Sequence, residues 1–482
     1  MNSTKLFWKN SIIYGVGSIF IRAISFFLLP LYTNAFTRSE TGYIFLIFTF
    51  ISFAQIIYFY GQDAAFLKFY NQNSNDQKIV GYTSYILLLI TSTLFTAIIL
   101  FFSNIISIQL IDIDKGIWII YSAFILFFDT ISSRIMLILR IKEKSWIFLI
   151  ISIITVVVSI TTSYVLVINF DYNIDGIFLG TLSGILIKFI FLIPYQINIY
   201  KEKQFSFIIA KKLLKFGFPF FLSAFFYLIL ELSDRYLIFW ILGSEHVGVY
   251  SIGYKIGSLG LFIVSAFNLG WQPFYIKIGA NPSSNKLFGN IGTSFIFFLI
   301  TIWGLIIFWT PLFMQIKIGN NYLIGASFWA SVDIITIIFL SYIFYAGYIV
   351  LMPCIYLCNK EIWSPIIRGS GAIINIVLNL ILIKKFGLMG ACCSTLVSYV
   401  FMFTFILYKS RLWFKVLCDW RSVLIHLILT SIFIFYFRGL DNNFSVSFLF
   451  TIMYFIMIAI IFKKTIISLN RYKSLIRLFY NN

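Results

Sequence analysis

Charge is scarce in this sequence: only 11% of its 482 residues are Asp, Glu, Lys or Arg, less than half the share usual in a soluble domain, about 25%. Acidic residues are the scarcer kind, 17 against 36 Lys and Arg, and there are two histidines, five cysteines and eight prolines. Two histidines, His246 and His426, make a zinc site improbable, although Cys354 and Cys358 are spaced for one helix face. Cys392, Cys393 and Cys418 likewise lie in or beside apolar runs, so no disulfide framework is implied. Long polar stretches are missing too, which leaves no room for an extramembrane catalytic or nucleotide-binding domain. No Gly-rich phosphate loop of the Walker type occurs, so the chain does not use ATP directly, and no cofactor is implied.

What is abundant is apolar. Hydrophobic residues make up 61% of the chain and aromatics 20%, with a mean hydropathy of +0.96. A single water-surrounded core cannot hide this much Phe, Ile and Leu, because the buried fraction is bounded by surface scaling. Runs of about twenty apolar residues place spans near 10 to 32, 42 to 60, 79 to 102, 116 to 138, 146 to 168, 176 to 199, 215 to 241, 248 to 270, 290 to 312, 330 to 352, 364 to 383, 387 to 408, 421 to 438 and 444 to 462. The expected fold is therefore an all-α integral membrane protein with about fourteen transmembrane helices.

The net charge of +19 would raise nucleic acid as a partner in a soluble protein. Here the basic residues sit in short gaps between apolar runs, which excludes that reading. Placing both termini inside puts most Lys and Arg on the cytoplasmic side: Arg140, Lys142 and Lys144; Lys201 to Lys215; Lys409 to Arg421; and the tail from Lys463 to Arg477. The positive-inside rule thus orients the chain, and these runs serve most simply as anchors against anionic lipid.

Two echoes suggest an internal repeat. Ser39-Glu40-Thr41-Gly42-Tyr43, followed by a span and Gly61-Gln62, returns as Ser244-Glu245-His246-Val247-Gly248-Val249-Tyr250, a span and Gly270-Trp271-Gln272. Gly176-Ile177-Phe178-Leu179-Gly180-Thr181-Leu182 returns as Gly390-Ala391-Cys392-Cys393-Ser394-Thr395-Leu396. The expected organisation is a six-helix half over 1–200, a second half over 201–410, and a helix pair with a basic tail over 411–482. Gly176, Gly180, Gly184, Gly387 and Gly390 suit close helix approach.

Ionisable residues within spans cost free energy unless they face a cavity or a partner. The basic ones are Arg22, Arg134, Lys188, Arg235, Lys255 and Arg368; the acidic ones are Asp129, Glu231, Asp234 and Asp333. Arg22 and Lys188 lie near mid-span, whereas Arg134 and Arg368 are close enough to the inner ends to snorkel. A cavity lined by Arg22, Lys188, Lys255, Arg235 and Arg134 favours an anionic cargo such as pyrophosphate. Asp129, Glu231 and Asp234 are candidates for charge balance or ion coupling; Asp129 is placed to answer Arg22 or Lys188, or to carry a coupling proton or sodium ion.

Several segments resemble a known family. Phe216-Gly217-Phe218-Pro219, Ser233-Asp234-Arg235-Tyr236, Leu242-Gly243, Val247-Gly248-Val249-Tyr250-Ser251 and Asn268-Leu269-Gly270-Trp271-Gln272-Pro273-Phe274 are similar to the Wzx-type polysaccharide flippases of the MATE-like MOP exporter superfamily. Asn375 to Leu380, Ile383, Phe386-Gly387 and Gly390-Ala391 look like that family's eleventh-to-twelfth helix hairpin. The resemblance implies two six-helix halves in a MATE-like arrangement in a bacterial cytoplasmic membrane. It further implies export of an undecaprenyl-pyrophosphate-linked repeat unit for O-antigen or capsule, with Arg22 lining the cavity and the lipid tail left in the bilayer. Candidate partners are then the lipid-linked oligosaccharide, membrane lipids, a polysaccharide polymerase and chain-length proteins. Two other readings stay open: a MATE-like cation-coupled antiporter, which calls for exposed acidic sites, and a glycan polymerase or ligase, which calls for a large outer loop. Asp112-Ile113-Asp114 resembles a metal-binding DxD, a weak signal in a turn.

Overall fold

The computed structural model describes residues 26–72, 77–201, 203–280, 284–440 and 443–461. These residues are almost wholly helical, and the protein is a multi-pass membrane protein. Among the described residues, eleven segments are long and apolar enough to cross a membrane. One of them, Trp363–Trp413, contains a break at Gly387 (φ 58°, ψ −136°), so it supplies both expected spans on either side of that residue. A shorter apolar helix, Phe444–Ile460, follows at the end. The expected second to fourteenth spans are thus accounted for. The first lies outside the described residues apart from its end, which includes helix α1, Leu29–Ala35.

Contacts divide the chain into two compact units, one running to Ser251 and the other starting at Ile252. In the first, α2 (Arg38–Phe59) starts at a capping box: Thr37 accepts from Glu40 N–H while the Glu40 carboxylate takes the Thr37 N–H, satisfying two orphan donors reciprocally. Tyr60 and Gly61 both adopt positive φ, which bends the chain into α3 (Gln62–Gln72). Then come α4 (Gln77–Phe101), α5 (Ser103–Ile111), α6 (Gly116–Ile141), α7 (Ser145–Tyr164), a π-helical turn over Val165–Asn169, α8 (Asn173–Tyr200), α9 (Phe207–Leu242) and α10 (Ser244–Gly257). The DxD-like turn is a helix stop. Asp112 is the left-handed cap of α5, its N–H donating to Ile108 O at 2.9 Å.

The α7–α8 pair shows why small residues were placed there. A Cβ on Gly180 would fall 2.0 Å from Ser163 Oγ, and one on Gly184 would fall 1.9 Å from Ser159 Oγ and 2.6 Å from Thr155 O. With lipid on the outside, such backbone proximity supplies the packing attraction that water would otherwise drive. Gly184→Val is expected to cost roughly 1–3 kcal/mol by overpacking, read as a lower unfolding midpoint of the purified protein in detergent. Tyr85, Ile131, Ile135, Leu139 and Leu192 form an apolar cluster beside this pair.

The second unit continues with α11 (Leu259–Ile278), α12 (Ser284–Met314), a two-residue-per-strand hairpin of β1 (Lys317–Ile318) and β2 (Asn321–Tyr322), a 3-10 turn, α13 (Val332–Val350), α14 (Pro353–Tyr356), the broken α15 (Trp363–Trp413), α16 (Trp420–Arg438) and α17 (Phe444–Ile461). Gly390 packs against Leu382 O, but a Cβ on Gly387 would meet nothing within 4 Å. Gly387 therefore serves the turn through its positive φ and plays no part in close approach. The C-terminal pair is anchored on α12. His426 stacks on Phe297 with centroids 4.4 Å apart, Thr430 shares a hydrogen bond with Tyr454 at 2.9 Å, and Trp309 Nε1 donates to Thr451 at 3.0 Å. Asp333 pairs with Arg438 at 2.8 Å.

Candidate functional site

The deep charges of the first unit occur as neighbours of opposite sign. Lys188 of α8 pairs with Asp129 of α6, and Gln55 Nε2 of α2 donates to the other Asp129 oxygen at 2.5 Å. One carboxylate thereby ties three helices together. Of the two partners left open for Asp129, the structure shows Lys188; Arg22 lies outside the described residues.

Arg134, also on α6, is completely buried. Its guanidinium lies 3.2 Å from Asp63 Oδ1 of α3 and 4.5 Å above the Phe66 ring. It does not snorkel to the head groups, because α3 folds back across it and brings its own carboxylate and aromatic face. Asp63 is half exposed, so the acid of this pair faces out and the cation is enclosed.

The third pair lies within one helix. Arg235 of α9 donates to Asp234 Oδ1 at 3.0 Å and to Glu231 O at 2.9 Å, and Tyr250 of α10 donates its hydroxyl to the other Asp234 oxygen. Both charged groups and Glu231 are buried. Next to them, Tyr236 donates to Leu46 O at 3.0 Å, fastening α9 to α2. Burying any of these cations alone would cost several kcal/mol; each has an acid in contact.

A cavity of about 630 Å³ opens beside the first two of these pairs, with Gln55 and Asp63 in its lining. Ser52, Gln55, Asp63 and Ser133 give it hydrogen-bonding groups, and Phe59, Phe220 and Phe221 give it aromatic faces. Lys188, Arg134 and Arg235 are not among its lining residues. Those cations were expected to line a cargo cavity; the lining of this one includes instead the acid Asp63 and the amide of Gln55. Lys255 and Arg368, in the second unit, are half-buried.

Gln55, Asp63 and Gln62 were not singled out from the sequence. Asp63 follows the end of an apolar run, where an acid reads as solvated, and only the fold of α3 across α6 sets it against Arg134. Gln62 is wholly buried, and neither atom of its amide has a hydrogen-bond partner among the described residues. Its place after Gly61, in the echoed Gly-Gln pattern, was the one available signal. Among the described residues no group of three or more His, Cys, Asp and Glu is placed to hold a metal ion.

The architecture has known counterparts. A solved structure titled lipid II flippase MurJ, inward closed conformation, superposes with a TM-score of 0.68 at 17% identity, over 94% of this chain and all of the other. An inward-facing multidrug resistance MATE family transporter of the MOP superfamily gives 0.63 at 13% identity, over 81% and 95%. A MOP superfamily transporter from Pyrococcus furiosus, described as having a binding pocket of reversed polarity, gives 0.52 at 13% identity, over 85% and 96%. At these identities the likeness is one of fold. No curated protein matches the sequence. Residues 7–277, more than half of the chain, match the family described as polysaccharide biosynthesis protein. The chain therefore belongs to that polysaccharide biosynthesis family, and its fold is like that of the MurJ and MATE structures.

Proposed function

We propose that the protein is a flippase, moving an undecaprenyl-pyrophosphate-linked oligosaccharide repeat unit from the cytoplasmic to the outer leaflet of a bacterial cytoplasmic membrane. The observation that carries this reading is the mixed lining of the 630 Å³ cavity, with Ser52, Gln55, Asp63 and Ser133 beside Phe59, Phe220 and Phe221. Hydroxyl-rich sugars need both kinds of surface: polar groups for their hydroxyls and aromatic faces for their apolar C–H patches. The family membership supports the same substrate class, and repeat-built transporters of this kind bind cargo near mid-membrane and rock between two openings.

In this account the halves 1–200 and 201–410 alternate access, both termini are cytoplasmic, and the helix pair 411–482 is an addition. Among the cations expected on the cargo path, Arg22 is the one that the family resemblance places against the pyrophosphate. Lys188, Arg134 and Arg235 act by holding Asp129, Asp63 and Asp234 in place, since their own charge is already matched. Polymerase and chain-length proteins would take the product on the outer side.

Gln55→Leu tests the cavity. It removes one accessible amide and the hydrogen bond to Asp129 at nearly constant volume. A hydrogen bond from the amide to a sugar hydroxyl is worth about 1 kcal/mol, so export is expected to fall roughly fivefold, measured as surface glycan per membrane-inserted copy. Full export in the variant would place the glycan elsewhere. A second reading is favoured by one observation: Asp63 and Asp129 are the more exposed members of their pairs, as a MATE-like antiporter of cations requires. Uptake of a cationic dye by proteoliposomes, abolished by Asp63→Asn with no glycan movement, would select it.

A further inference from the structure

A second opening in the first unit has the opposite character. It is a groove of about 800 Å³ between α4 and the start of α9, with Leu87, Ile90, Leu214 and Phe218 along it and Lys211 and Lys215 at its edge. The two lysines are four residues apart on one helix, so they project from one face. Ile90 and Phe207 are more than half exposed, as lipid-facing side chains are.

The groove and the polar cavity share a wall. Tyr60 lines the groove, while the adjoining Phe59 and Gly61 line the cavity. The Tyr60 ring stacks on Phe221, a cavity residue, with centroids 5.3 Å apart, and lies 6.2 Å from Phe218, a groove residue. Behind the rings the backbones abut, since a Cβ on Gly61 would fall 2.1 Å from Gly217 O. An apolar channel, a pair of ammonium groups and a polar cavity therefore sit side by side, separated by one aromatic layer.

We propose that this groove docks the isoprenoid chain of the lipid-linked substrate, with the phosphate nearest the chain held by Lys211 and Lys215 and the glycan directed past Tyr60 into the polar cavity. The proposal rests on the flippase reading for the nature of the glycan. The match between site and occupant comes from the lysines that line the apolar groove and from the hydrogen-bonding cavity next to it. A bulk phospholipid would satisfy the groove and its lysines but has no use for the cavity. Lys211 and Lys215 are then more than general anchors to an anionic leaflet.

The test is photolabelling of the full chain in phosphatidylcholine nanodiscs with a diazirine-bearing undecaprenyl phosphate, followed by mapping of the adducts. Labelling is expected at residues 84–90 and 207–218, competed by unlabelled undecaprenyl phosphate and reduced at least fivefold in Lys211→Gln/Lys215→Gln. Leu214→Trp, which fills the groove and keeps both charges, should reduce it as well. Adducts elsewhere, equal competition by phosphatidylglycerol, or full labelling in both variants would overturn the proposal. Because the probe carries no glycan, this readout is independent of transport. Groove labelling with no glycan movement by the same preparation would count against the flippase reading alone, and glycan movement without groove labelling against the docking site alone.

Discussion

Asp129→Ala is expected to destabilise the protein by about 3–5 kcal/mol, because it leaves the Lys188 ammonium buried without its acid. The side chain of Lys188 is 9% exposed, too enclosed for water to replace the carboxylate, and Gln55 on α2 loses its acceptor in the same step. Asp129→Ala/Lys188→Met is expected to recover most of the loss, since a buried pair replaced by apolar groups of similar volume is often neutral or stabilising. The check is the unfolding midpoint of the four proteins in one detergent: wild type, each single variant and the double. If Asp129→Ala unfolds at the wild-type midpoint, Lys188 is not held by the pair and is free to meet an anionic cargo directly. Export by the double variant separates roles: retained export makes the pair a tie between α6 and α8, and lost export gives it a part in transport.

Gly248→Leu is expected to do as much damage through sterics alone. The N-termini of α2 and α10 meet at a symmetrical contact. A Cβ on Gly248 would fall 2.0 Å from Arg38 O, and one on Gly42 would fall 2.0 Å from Ser244 O. Ser39 and Ser244 share a hydrogen bond at 2.5 Å, and Arg38 pairs with Glu245 at 3.1 Å. The blocking atoms belong to backbone, so no rotamer change relieves the clash and the two helix ends must part. Export per folded molecule should drop more than tenfold in Gly248→Leu and in Gly42→Leu. Arg38→Ala, which removes an exposed ion pair worth up to about 1 kcal/mol, should leave export within about twofold. A cysteine pair at Ser39 and Ser244 that crosslinks in wild-type background but not alongside Gly248→Leu would trace the loss to this contact. Equal export by Gly248→Leu and wild type would show that the close approach is dispensable.

This contact also bears on what was legible in the sequence. Ser39 with Gly42 and Ser244 with Gly248 were matched by pattern, and the structure brings these matched residues into contact. The spans were legible for a simple reason: lipid demands about twenty apolar residues per crossing, and that demand is written in composition. Where polar residues interrupt, legibility falls. The first turns of α9 were missed because Lys211, Lys212 and Lys215 end the apolar run, although Ser206 caps a helix that starts at Phe207. Gly387 was read as a packing glycine and proved to be a hinge, since sequence does not distinguish a need for positive φ from a need for space.

The candidate site was legible in its residue types and less so in its pairings. Depth along a helix singled out Lys188, Arg134, Asp129, Asp234 and Arg235, because lipid makes any mid-span charge conspicuous. It could not say which member of each pair would face open space. That depends on tertiary detail, such as the bend at Tyr60-Gly61 that folds α3 over α6 and encloses Arg134 behind Asp63. The difference bears on the proposed function, because a cavity edged by Asp63 and Gln55 offers hydrogen-bonding groups of the kind that the proposed glycan needs.

The most direct measurement is transbilayer movement of an undecaprenyl-pyrophosphate oligosaccharide in liposomes holding the purified protein, with Arg22→Ala alongside. Protein-dependent movement that Arg22→Ala reduces at least tenfold is expected; no movement with several glycans, in preparations that take up a cationic dye, would contradict the flippase reading.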